Sequence, residues 1–465
     1  MHQPPPLLQA LRSELVNWRL WADRAVVLLF AMLAGLTVVA FTWLSEHALD
    51  TFFALHTRAA WLPLLWTPLL TMGIVWLTRR YAGGAAGSGI PQVMAALSPM
   101  TPREQRGLYV SLRLSLSKLV LTASGLLAGL SAGREGPSVQ IAAGVMHSAR
   151  RFLSPGSAIK DSGLILAGGA AGIAAAFNTP LGGVMFAIEE LSRRAEDRRS
   201  GLLMAAIILA GLMAVSAYGN ATYFGVIKVE QISWALLWPG LLVAVLCGAA
   251  GGLFARLLIY SLHSPSQHWV HRLRRQSPIW FAGACGLLVA VIGLGTDGAT
   301  FGSGYSHTRA MLENHDNVSS LYVLLKSAST WLTVWAGVPA GIFAPSLAIG
   351  AAVGNDLASW LAYPNAPTLI ALGMAGFLAA VTQAPLTAFI IVMEMVTGQA
   401  LVLSLMASAL VASGVSRLIS QPLYAALTLS QLQRLPHQAR TSSADRTSPI
   451  TEKETDHVQT HHPGL

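Results

Sequence analysis

The hydrophobic pattern of the chain consists of long uncharged segments separated by short loops rich in arginine. Residues 25–44 carry no charge, and a helix of this length spans about 30 Å of hydrocarbon, so we interpret them as a retained membrane span. Between Lys326 and Arg417 the only charged residues are Asp356 and Glu394. Several other apolar segments are too short to span a bilayer and are interrupted by glycine or proline. The pattern predicts an all-α polytopic membrane protein that contains broken helices.

The two ends of the chain are more polar than its middle. Residues 1–24 place leucine and tryptophan at near-helical spacing between arginines, which predicts an amphipathic lead-in helix at the cytoplasmic membrane surface. Residues 25–432 form the predicted membrane domain. Residues 433–465 are polar and are expected to be a disordered cytoplasmic tail, too short for a folded regulatory domain. His461 and His462 offer a metal site as the alternative, but a solvated tail is preferred, and no metal site is predicted.

Composition and charge favour a membrane protein over a soluble one. Of the 465 residues, 53% are hydrophobic and 11% are charged, whereas a typical soluble domain is about 25% charged. The net charge of +9 would also suit a protein that binds nucleic acid. The basic residues cluster in short loops, however, as the positive-inside rule predicts for an inner-membrane protein, so we expect no nucleic-acid partner. The clusters are Arg79–Arg80, Arg103–Arg113, Arg150–Arg151, Arg193–Arg199 and Arg272–Arg275.

An internal repeat relates two halves of the membrane domain. Residues 174–189 match residues 379–394 at a constant offset of 205, and the same offset relates Gly136 to Gly341. Duplicated halves with broken helices at matching positions are typical of transporters, whose site lies at the interface between the repeats near the middle of the bilayer. The repeat by itself leaves open whether the halves are parallel or inverted.

An arginine and a glutamate lie side by side inside an apolar, glycine-rich segment. Arg134 and Glu135 are flanked by residues 119–132 and 139–145, which contain no charge. An ionisable group at membrane depth costs roughly 2.5–3.5 kcal/mol on insertion scales, so it is rarely kept without a function. The neighbouring glycines let the backbone turn, and Pro137 suits the first turn of a new helix. The amides that open such a helix form an anion site.

Two more glycine-rich turns are expected to open helices inside apolar regions. In Gly87–Pro91 the hydroxyl of Ser88 can donate to an anion or simply cap the helix, and the motif alone favours capping. The same Gly-Ser-Gly sequence recurs at residues 302–304. Gly341–Pro345 opens another helix, and its first amides would face the same cavity as those after Glu135 if the repeat is two-fold.

The order of these motifs resembles the CLC family of chloride channels and chloride/proton antiporters. The resemblance covers nearly all of residues 25 to 430 and rests on Gly87–Pro91, Gly133–Pro137, the pair Glu189 and Glu190, Gly341–Pro345, and Pro422–Tyr424. It implies an all-α CLC fold of about eighteen helical segments, arranged as two inverted repeats at about 25–218 and 235–432. It also implies a homodimer with one pore in each protomer. We expect a bacterial member of the family, without C-terminal CBS domains.

The resemblance also assigns roles to individual residues. Glu135 would be the external gate, which occupies an anion site when deprotonated and swings out when protonated. Glu190 would transfer protons on the internal side. The central chloride would be bound by two hydroxyls and two backbone amides, from Ser88, Tyr424, Ile342 and Phe343. The supporting residues would be Gly87, Gly89, Lys118, Arg134, Gly136 and Gly341, with Arg134 divided between structural bonding and electrostatics.

Several of these residues keep a plainer interpretation when the resemblance is set aside. Tyr424 would ordinarily be an interfacial aromatic residue, and Glu190 an interfacial acid paired with an arginine of the next loop, Arg193 or Arg194. Lys118 adds positive potential for anions, or it pairs with a carboxylate or snorkels to the interface. Glu189 and Glu394 occupy equivalent repeat positions, and we expect them to cap backbone amides within each half.

One segment and one single residue depart from the commoner family pattern. Residues 335–341 read Trp-Ala-Gly-Val-Pro-Ala-Gly, whereas the family often has Gly-Ser-Gly-Ala-Pro-Gly-Gly. The anion-binding amides come later in the chain, so the site is expected to survive with altered loop flexibility. Met94 stands where well-studied bacterial members carry a glutamate, which removes one buried carboxylate.

The predicted function is chloride transport across the bacterial inner membrane in exchange for protons, with both termini in the cytoplasm. The alternative is an uncoupled chloride channel of the same fold. Channel members commonly have an apolar residue where this chain has Glu190, whereas exchangers keep the acid. Ser88 favours chloride over nitrate, because relatives that favour nitrate often carry proline there. The spans contain no Ser/His/Asp or metal constellation, so we expect neither an enzyme nor a cofactor, and the partners are chloride, protons, lipid and a second copy.

Overall fold

The computed structural model describes residues 18–191, 201–219, 223–224, 234–263, 268–313, 319–396 and 399–433. These residues form eighteen α-helices joined by turns and short 3-10 segments, in agreement with the number of helical segments that the resemblance implies. The helices of the first half are α1 (Trp18–Arg58), α2 (Pro63–Tyr81), α3 (Ile90–Leu97), α4 (Leu112–Leu127), α5 (Glu135–Ser148), α6 (Asp161–Phe177), α7 (Pro180–Glu189) and α8 (Gly201–Tyr218). Those of the second half are α9 (Leu237–His263), α10 (Trp269–Gln276), α11 (Pro278–Leu294), α12 (Tyr305–Leu312), α13 (Leu321–Ala336), α14 (Phe343–Trp360), α15 (Ala366–Thr382), α16 (Pro385–Met395), α17 (Val402–Ile419) and α18 (Leu423–Gln433).

Only some helices are long enough to cross a bilayer alone. Within the described ranges, five helical stretches are long and apolar enough, and the pair α10–α11, bent by 118°, makes a sixth if it is counted as one broken span. Helices α6, α7, α15 and α16 are apolar but shorter. Short helices at membrane depth need neighbours to cover the polar groups at their ends. The five long stretches are Trp18–Arg58, Arg103–Leu127, Gly201–Tyr218, Trp234–Leu262 and Val402–Ile419.

The N-terminal part of the membrane domain begins with one long helix. Helix α1 runs unbroken from Trp18, so residues 18–24 are its first turns and continue directly into the apolar run 25–44. The remainder of the expected lead-in helix, residues 1–17, lies outside the described residues. The same holds for the expected polar tail from residue 434 onwards.

The internal repeat is visible in the helix boundaries. Helices α6 and α7 start 205 residues before α15 and α16 respectively. The break between the helices of each pair is also alike, because Asn178 and Gln383 both adopt the left-handed conformation, with φ of 57° and 55°. Non-glycine residues seldom adopt this conformation, so its appearance at matching positions marks a shared way of ending the first helix of each pair.

The two short helices α7 and α16 cap each other. The carboxylate of Glu189, at the end of α7, accepts hydrogen bonds from the amides of Leu386 and Thr387 at 3.1 and 2.6 Å. Glu394, near the end of α16, accepts the corresponding bonds from two amides at the start of α7, at 3.2 and 2.7 Å. The predicted capping role is confirmed. The prediction that each carboxylate serves its own half is wrong, because the two-fold relation brings the end of each helix to the start of the other.

Small residues bring matching helix pairs into close contact in each half. In the first half, Gly172 of α6 lies so close to α5 that a Cβ atom would stand 2.5 Å from the carbonyl oxygen of Ser138. In the second half, Gly354 of α14 lies equally tightly against the carbonyl of Leu369 on α15. Close approach through small residues is the usual way in which helices associate in membranes. The close packing of α5 on α6 and of α14 on α15 buries the starts of α5 and α14 inside the protein.

Candidate functional site

The two halves meet at a short backbone bridge just before α5 and α14. Gly133 and Gly341 exchange reciprocal hydrogen bonds, with N···O distances of 2.8 and 2.9 Å, in an antiparallel bridge. Helix α5 begins at Glu135 and α14 at Phe343, so the first turns of both helices lie beside this bridge. The first amides of a helix lack partners within the helix and carry its positive dipole end. The crossing therefore provides two helix starts that favour an anion, in the common region that the sequence predicts.

Ser88 reaches the same region from the loop before α3. Its hydroxyl lies directly against Gly136, where a side chain of any kind would collide with it. Gly87 and Gly89 hold the loop with φ of 73° and 106°, which side-chain-bearing residues rarely adopt. The alternative that Ser88 only caps α3 is wrong, because the cap is Gly89, whose amide donates to Gln92 Oε1 at 3.1 Å. The Ser88 hydroxyl is buried without a hydrogen-bond partner among the described residues.

The four carbonyl groups of residues 84–87, just before Ser88, each accept a hydrogen bond from a buried side chain. Lys118 Nζ donates to the carbonyl of Ala85 at 2.8 Å and also to that of Gly87. Gln140 and Gln92 serve the two remaining carbonyls, those of residues 84 and 86. Because these carbonyl oxygens already accept hydrogen bonds from side chains, they do not need the Ser88 hydroxyl as a donor. The Ser88 hydroxyl therefore stays available for an anion. Sequence reasoning missed both glutamines, which no motif marks.

The buried position of Lys118 decides between its earlier alternatives. The side chain is 0% exposed, and within the described residues it is held by carbonyl groups and makes no ion pair. Pairing with a carboxylate and snorkelling to the interface are therefore both wrong. Its Nζ atom lies inside the protein beside the Ser88 loop, and the contribution of Lys118 to positive potential stays a prediction.

A second lysine plays the matching role in the other half. Lys326 is 0% exposed and donates to the carbonyls of Thr300 and Gly302 at 2.9 and 2.8 Å. It thus anchors the second Gly-Ser-Gly loop just as Lys118 anchors the first. Sequence reasoning missed this role. The signal was present, since Lys326 lies in an apolar run 208 residues after Lys118, close to the repeat offset.

Glu135 is completely buried at the start of α5. Its carboxylate lies against Gly133, in the space that is also bordered by Ala344 and Pro345 of α14. The backbone of Arg134, Glu135 and Ala344 interacts with it, although neither oxygen completes a hydrogen bond of good geometry within the described residues. The carboxylate therefore stands in front of the α14 helix start, in the position that favours an anion.

A cavity of about 330 Å³ adjoins Glu135 on the side of α1. Arg134 lines it and forms an ion pair with Glu46 of α1, with an N···O distance of 2.8 Å, and donates to the Tyr223 hydroxyl at 3.3 Å. The Glu46 side chain is 50% exposed, so this end of the cavity reaches the surface. The structural part of the role predicted for Arg134 is thus an anchor between α1 and α5. Glu46 and Tyr223 belong to no sequence motif, and reasoning from the sequence missed them.

Tyr424 approaches the site from the first turn of α18. It is 0% exposed, so its interpretation as an interfacial aromatic residue is wrong. Its ring stacks on Phe343, with centroids 6.0 Å apart and planes inclined by 21°. The hydroxyl interacts with the Ser88 side chain, but neither hydroxyl completes a well-formed hydrogen bond within the described part of the chain. Phe343 and Ile342 are themselves 2% and 4% exposed. The four predicted chloride ligands therefore come together.

Glu190 directly follows the last residue of the short helix α7. It is 1% exposed, and the charges of Glu190 and Glu135 both act on the Tyr424 hydroxyl. The plainer interpretation, in which Glu190 pairs with an arginine of the next loop, stays a prediction. The loop arginines 193 and 194 proposed as its partners lie outside the described residues. Tyr424 is therefore within electrostatic reach of both predicted proton-carrying groups.

The two departures from the family pattern lie next to the site. Residues 335–341 are held against the Ser88 loop, because the Gly87 amide donates to the Val338 carbonyl at 3.3 Å and the Ala340 amide donates to the Gly87 carbonyl at 3.2 Å. Met94 contacts α18, where its sulfur accepts a hydrogen bond from the Thr428 hydroxyl at 3.6 Å. The uncharged thioether of Met94 thus makes this contact with α18.

Comparison with known proteins agrees with this geometry. The sequence profile described as voltage gated chloride channel matches residues 69–417, which is most of the chain. The chain belongs to the voltage-gated chloride channel (CLC) family. Similar proteins include the H(+)/Cl(-) exchange transporter ClcA of Salmonella paratyphi A, 29% identical over 423 residues, which are 86% of this chain and 87% of the relative. ClcA of Cronobacter sakazakii is 30% identical over 433 residues, which are 87% and 89% of the two chains.

Solved structures extend the likeness to three dimensions. A structure described as a slow cyanobacterial Cl-/H+ antiporter superposes with a TM-score of 0.78 at 25% identity, covering 89% of this chain and 99% of that one. A CLC-type fluoride/proton antiporter superposes with a TM-score of 0.73 at 23% identity over the same shares, and that likeness concerns the fold alone. The predicted CLC fold of inverted repeats with broken helices is therefore confirmed. The chain is a multi-pass membrane protein whose relatives are transporters.

Proposed function

We propose that this CLC protein exchanges chloride for protons across the bacterial inner membrane. The observation that carries the proposal is the Glu135 carboxylate, buried in front of the α14 helix start where an anion would be favoured. A carboxylate there competes with chloride when ionised and gives way when it takes up a proton. One place thus serves both ions in turn. The relatives named as H(+)/Cl(-) exchange transporters support the same reading.

Chloride is held by neutral donors deeper in the site. The ligands are the Ser88 and Tyr424 hydroxyls, both buried without a well-formed hydrogen bond within the described residues, together with the amides of Ile342 and Phe343. Neutral donors bind an anion weakly enough to release it again, which transport requires. Gly136 and its neighbouring glycines leave the room that the backbone needs to approach the ion.

Protons reach the two sides of the site through different carboxylates. Glu135 exchanges protons with the cavity that Arg134 and Glu46 line. Glu190 takes protons from the cytoplasmic side and passes them toward Glu135, and its burial next to Tyr424 supports this role. The uncoupled channel is the second candidate, and the acid at position 190 argues against it.

The functional unit is a homodimer with a separate pore in each protomer. Helices α7, α8, α16 and α17 expose large apolar side chains that a second copy would cover. They include Leu181 (55% exposed), Leu212 (46%), Leu386 (38%) and Leu410 (47%). Both termini lie in the cytoplasm, in agreement with the basic loops that the positive-inside rule assigns to that side.

The gate is tested with Glu135→Gln in proteoliposomes. The amide keeps the shape of the side chain but can neither carry the charge nor release a proton. Chloride movement should persist, while its pH dependence and proton coupling disappear. Glu313→Gln, which changes an exposed carboxylate paired with Arg309 at the end of α12, is the matched control and should keep coupling. Continued uphill proton pumping by Glu135→Gln would show that Glu135 is not the gate.

A further inference from the structure

A basic cavity lies at the opposite end of α5 from Glu135. It has a volume of about 370 Å³, and Arg103, His147, Arg150 and Arg151 line it. Helix α5 has 14 residues, so a helix of its length separates the cavity from Glu135 by about 20 Å. The cavity therefore has no part in the anion site described above.

The charges around this cavity are predominantly positive. Arg106 lies next to its lining, and the charges of Arg103 and Arg150 both repel the Arg106 guanidinium. Arg150 is ion-paired with Asp161 at 2.8 Å, and the remaining acid at the cavity is Glu104. Four arginines thus face two carboxylates. Such a concentration of like charge destabilises the protein unless an anion offsets it.

Two buried nitrogen atoms, one in the cavity lining and one beside it, also lack partners. Arg106 Nε and His147 Nε2 are both buried and have no hydrogen-bond partner among the described residues. The cavity also includes Ser111 and Leu112, which form the start of the 16-residue helix α4. A helix start, guanidinium groups and unsatisfied nitrogens together suit a phosphate group, which has several strong acceptor oxygens.

An apolar stripe leads away from the cavity along α4. Leu112, Leu116 and Val120 follow one another at intervals of one helical turn and are 49%, 64% and 50% exposed. A free phosphate makes no apolar contact with such a surface, whereas the acyl chains of a phospholipid can pack against it. The arginine-rich loops are assigned to the cytoplasmic side, where basic pockets between helices bind acidic lipid headgroups.

We propose that this cavity binds the phosphate of an acidic phospholipid, with an acyl chain lying along Leu112, Leu116 and Val120. Arg103 and Arg151 hold the phosphate from the exposed side and His147 holds it from the buried side, while Arg106 adds positive charge beside the cavity. The outer part of the cavity, where Arg103 and Arg151 are exposed, lets a lipid enter from the inner leaflet. The site is independent of the proposed exchange of chloride for protons.

The test measures lipid binding to the delipidated full-length protein in detergent. Native mass spectrometry or calorimetry compares dioctanoyl phosphatidylglycerol, dioctanoyl phosphatidylcholine and inorganic phosphate. The wild-type protein should prefer phosphatidylglycerol, and Arg103→Gln with Arg151→Gln should weaken that binding roughly thirtyfold. The control, Arg79→Gln with Arg80→Gln, removes two exposed arginines at the end of α2 and should bind as the wild type does.

A second variant separates the lipid from a free anion. Leu116→Asn places a polar group in the apolar stripe and should weaken phosphatidylglycerol binding without changing the fold, because the side chain is 64% exposed. Equal affinities for inorganic phosphate and phosphatidylglycerol would overturn the lipid assignment. Unchanged phosphatidylglycerol binding in the double arginine variant would overturn the site itself.

Discussion

Replacing Lys118 with methionine tests what a buried cation does beside the anion site. The Lys118 ammonium donates to the carbonyls of Ala85 and Gly87 and is 0% exposed. Methionine keeps the apolar length of the side chain and removes both hydrogen bonds. Lys326→Met is the matched control, because Lys326 makes the two corresponding hydrogen bonds to the second Gly-Ser-Gly loop, at the carbonyls of Thr300 and Gly302.

The expected magnitude follows from the two lost hydrogen bonds. A hydrogen bond to a charged group contributes about 1.5–3 kcal/mol to stability, net of desolvation. Each variant should therefore lower the free energy of unfolding by ~3–6 kcal/mol. Only Lys118→Met also removes a charge beside the Ser88 loop, so it alone should weaken chloride binding. The size expected for one charge near the site is roughly tenfold in affinity, or about 1.4 kcal/mol.

Two measurements on the same samples distinguish anchoring from electrostatic attraction. Unfolding in mixed micelles, followed by tryptophan fluorescence, reports stability, and calorimetry reports chloride affinity. We expect similar losses of stability in both variants and a loss of chloride affinity in Lys118→Met alone. A Lys118→Met protein as stable as the wild type would refute the anchoring argument. An equal loss of chloride affinity in Lys326→Met would refute the local effect of the charge.

Three further changes test contacts around the site. Glu189→Gln should lower the free energy of unfolding by about 1–3 kcal/mol, because the start of α16 loses a charged acceptor, and adding Glu394→Gln should lower it further. An unfolding titration that gives wild-type stability for both variants would contradict the mutual capping. Tyr424→Phe removes only a hydroxyl and should weaken chloride binding about fivefold by calorimetry, whereas unchanged affinity would remove Tyr424 from the ligands. Glu46→Gln frees the charge of Arg134 and should raise chloride uptake at low chloride concentration by roughly two- to fivefold, an increase that high salt should abolish. Unchanged uptake would show that the ion pair does not affect chloride entry through the cavity.

The helices and their breaks could be predicted because both leave local signals in the sequence. Apolar runs interrupted by Gly87–Pro91 or Gly341–Pro345 predict where a helix must end and another begin. The repeat at an offset of 205 predicted which breaks correspond, and the helix boundaries follow it. A two-fold repeat also predicts that the two helix starts meet, because it brings matching turns together at its axis. The place of Ser88 beside them was implied by the family resemblance, since its motif alone favours capping.

Contacts between distant segments could not be predicted in the same way. Glu189 was expected to cap its own half, because a single sequence shows equivalence but not which copy lies nearer. The ion pair of Arg134 with Glu46 joins segments separated by 88 positions, and neither the spacing nor the residue types around Glu46 mark it. Lys326 was visible as a lone charge in an apolar run, but its partners are backbone carbonyls, which leave no trace in the sequence.

The central claim is that chloride and protons move in exchange, and reconstituted wild-type protein tests it most directly. Vesicles with a chloride gradient and no pH gradient are monitored with chloride and pH electrodes at the same time. The account predicts that chloride flow drives protons uphill in the opposite direction, and that Glu190→Val still moves chloride but no protons. Wild-type protein that dissipates the chloride gradient without proton movement would contradict the account and identify the chain as an uncoupled chloride channel.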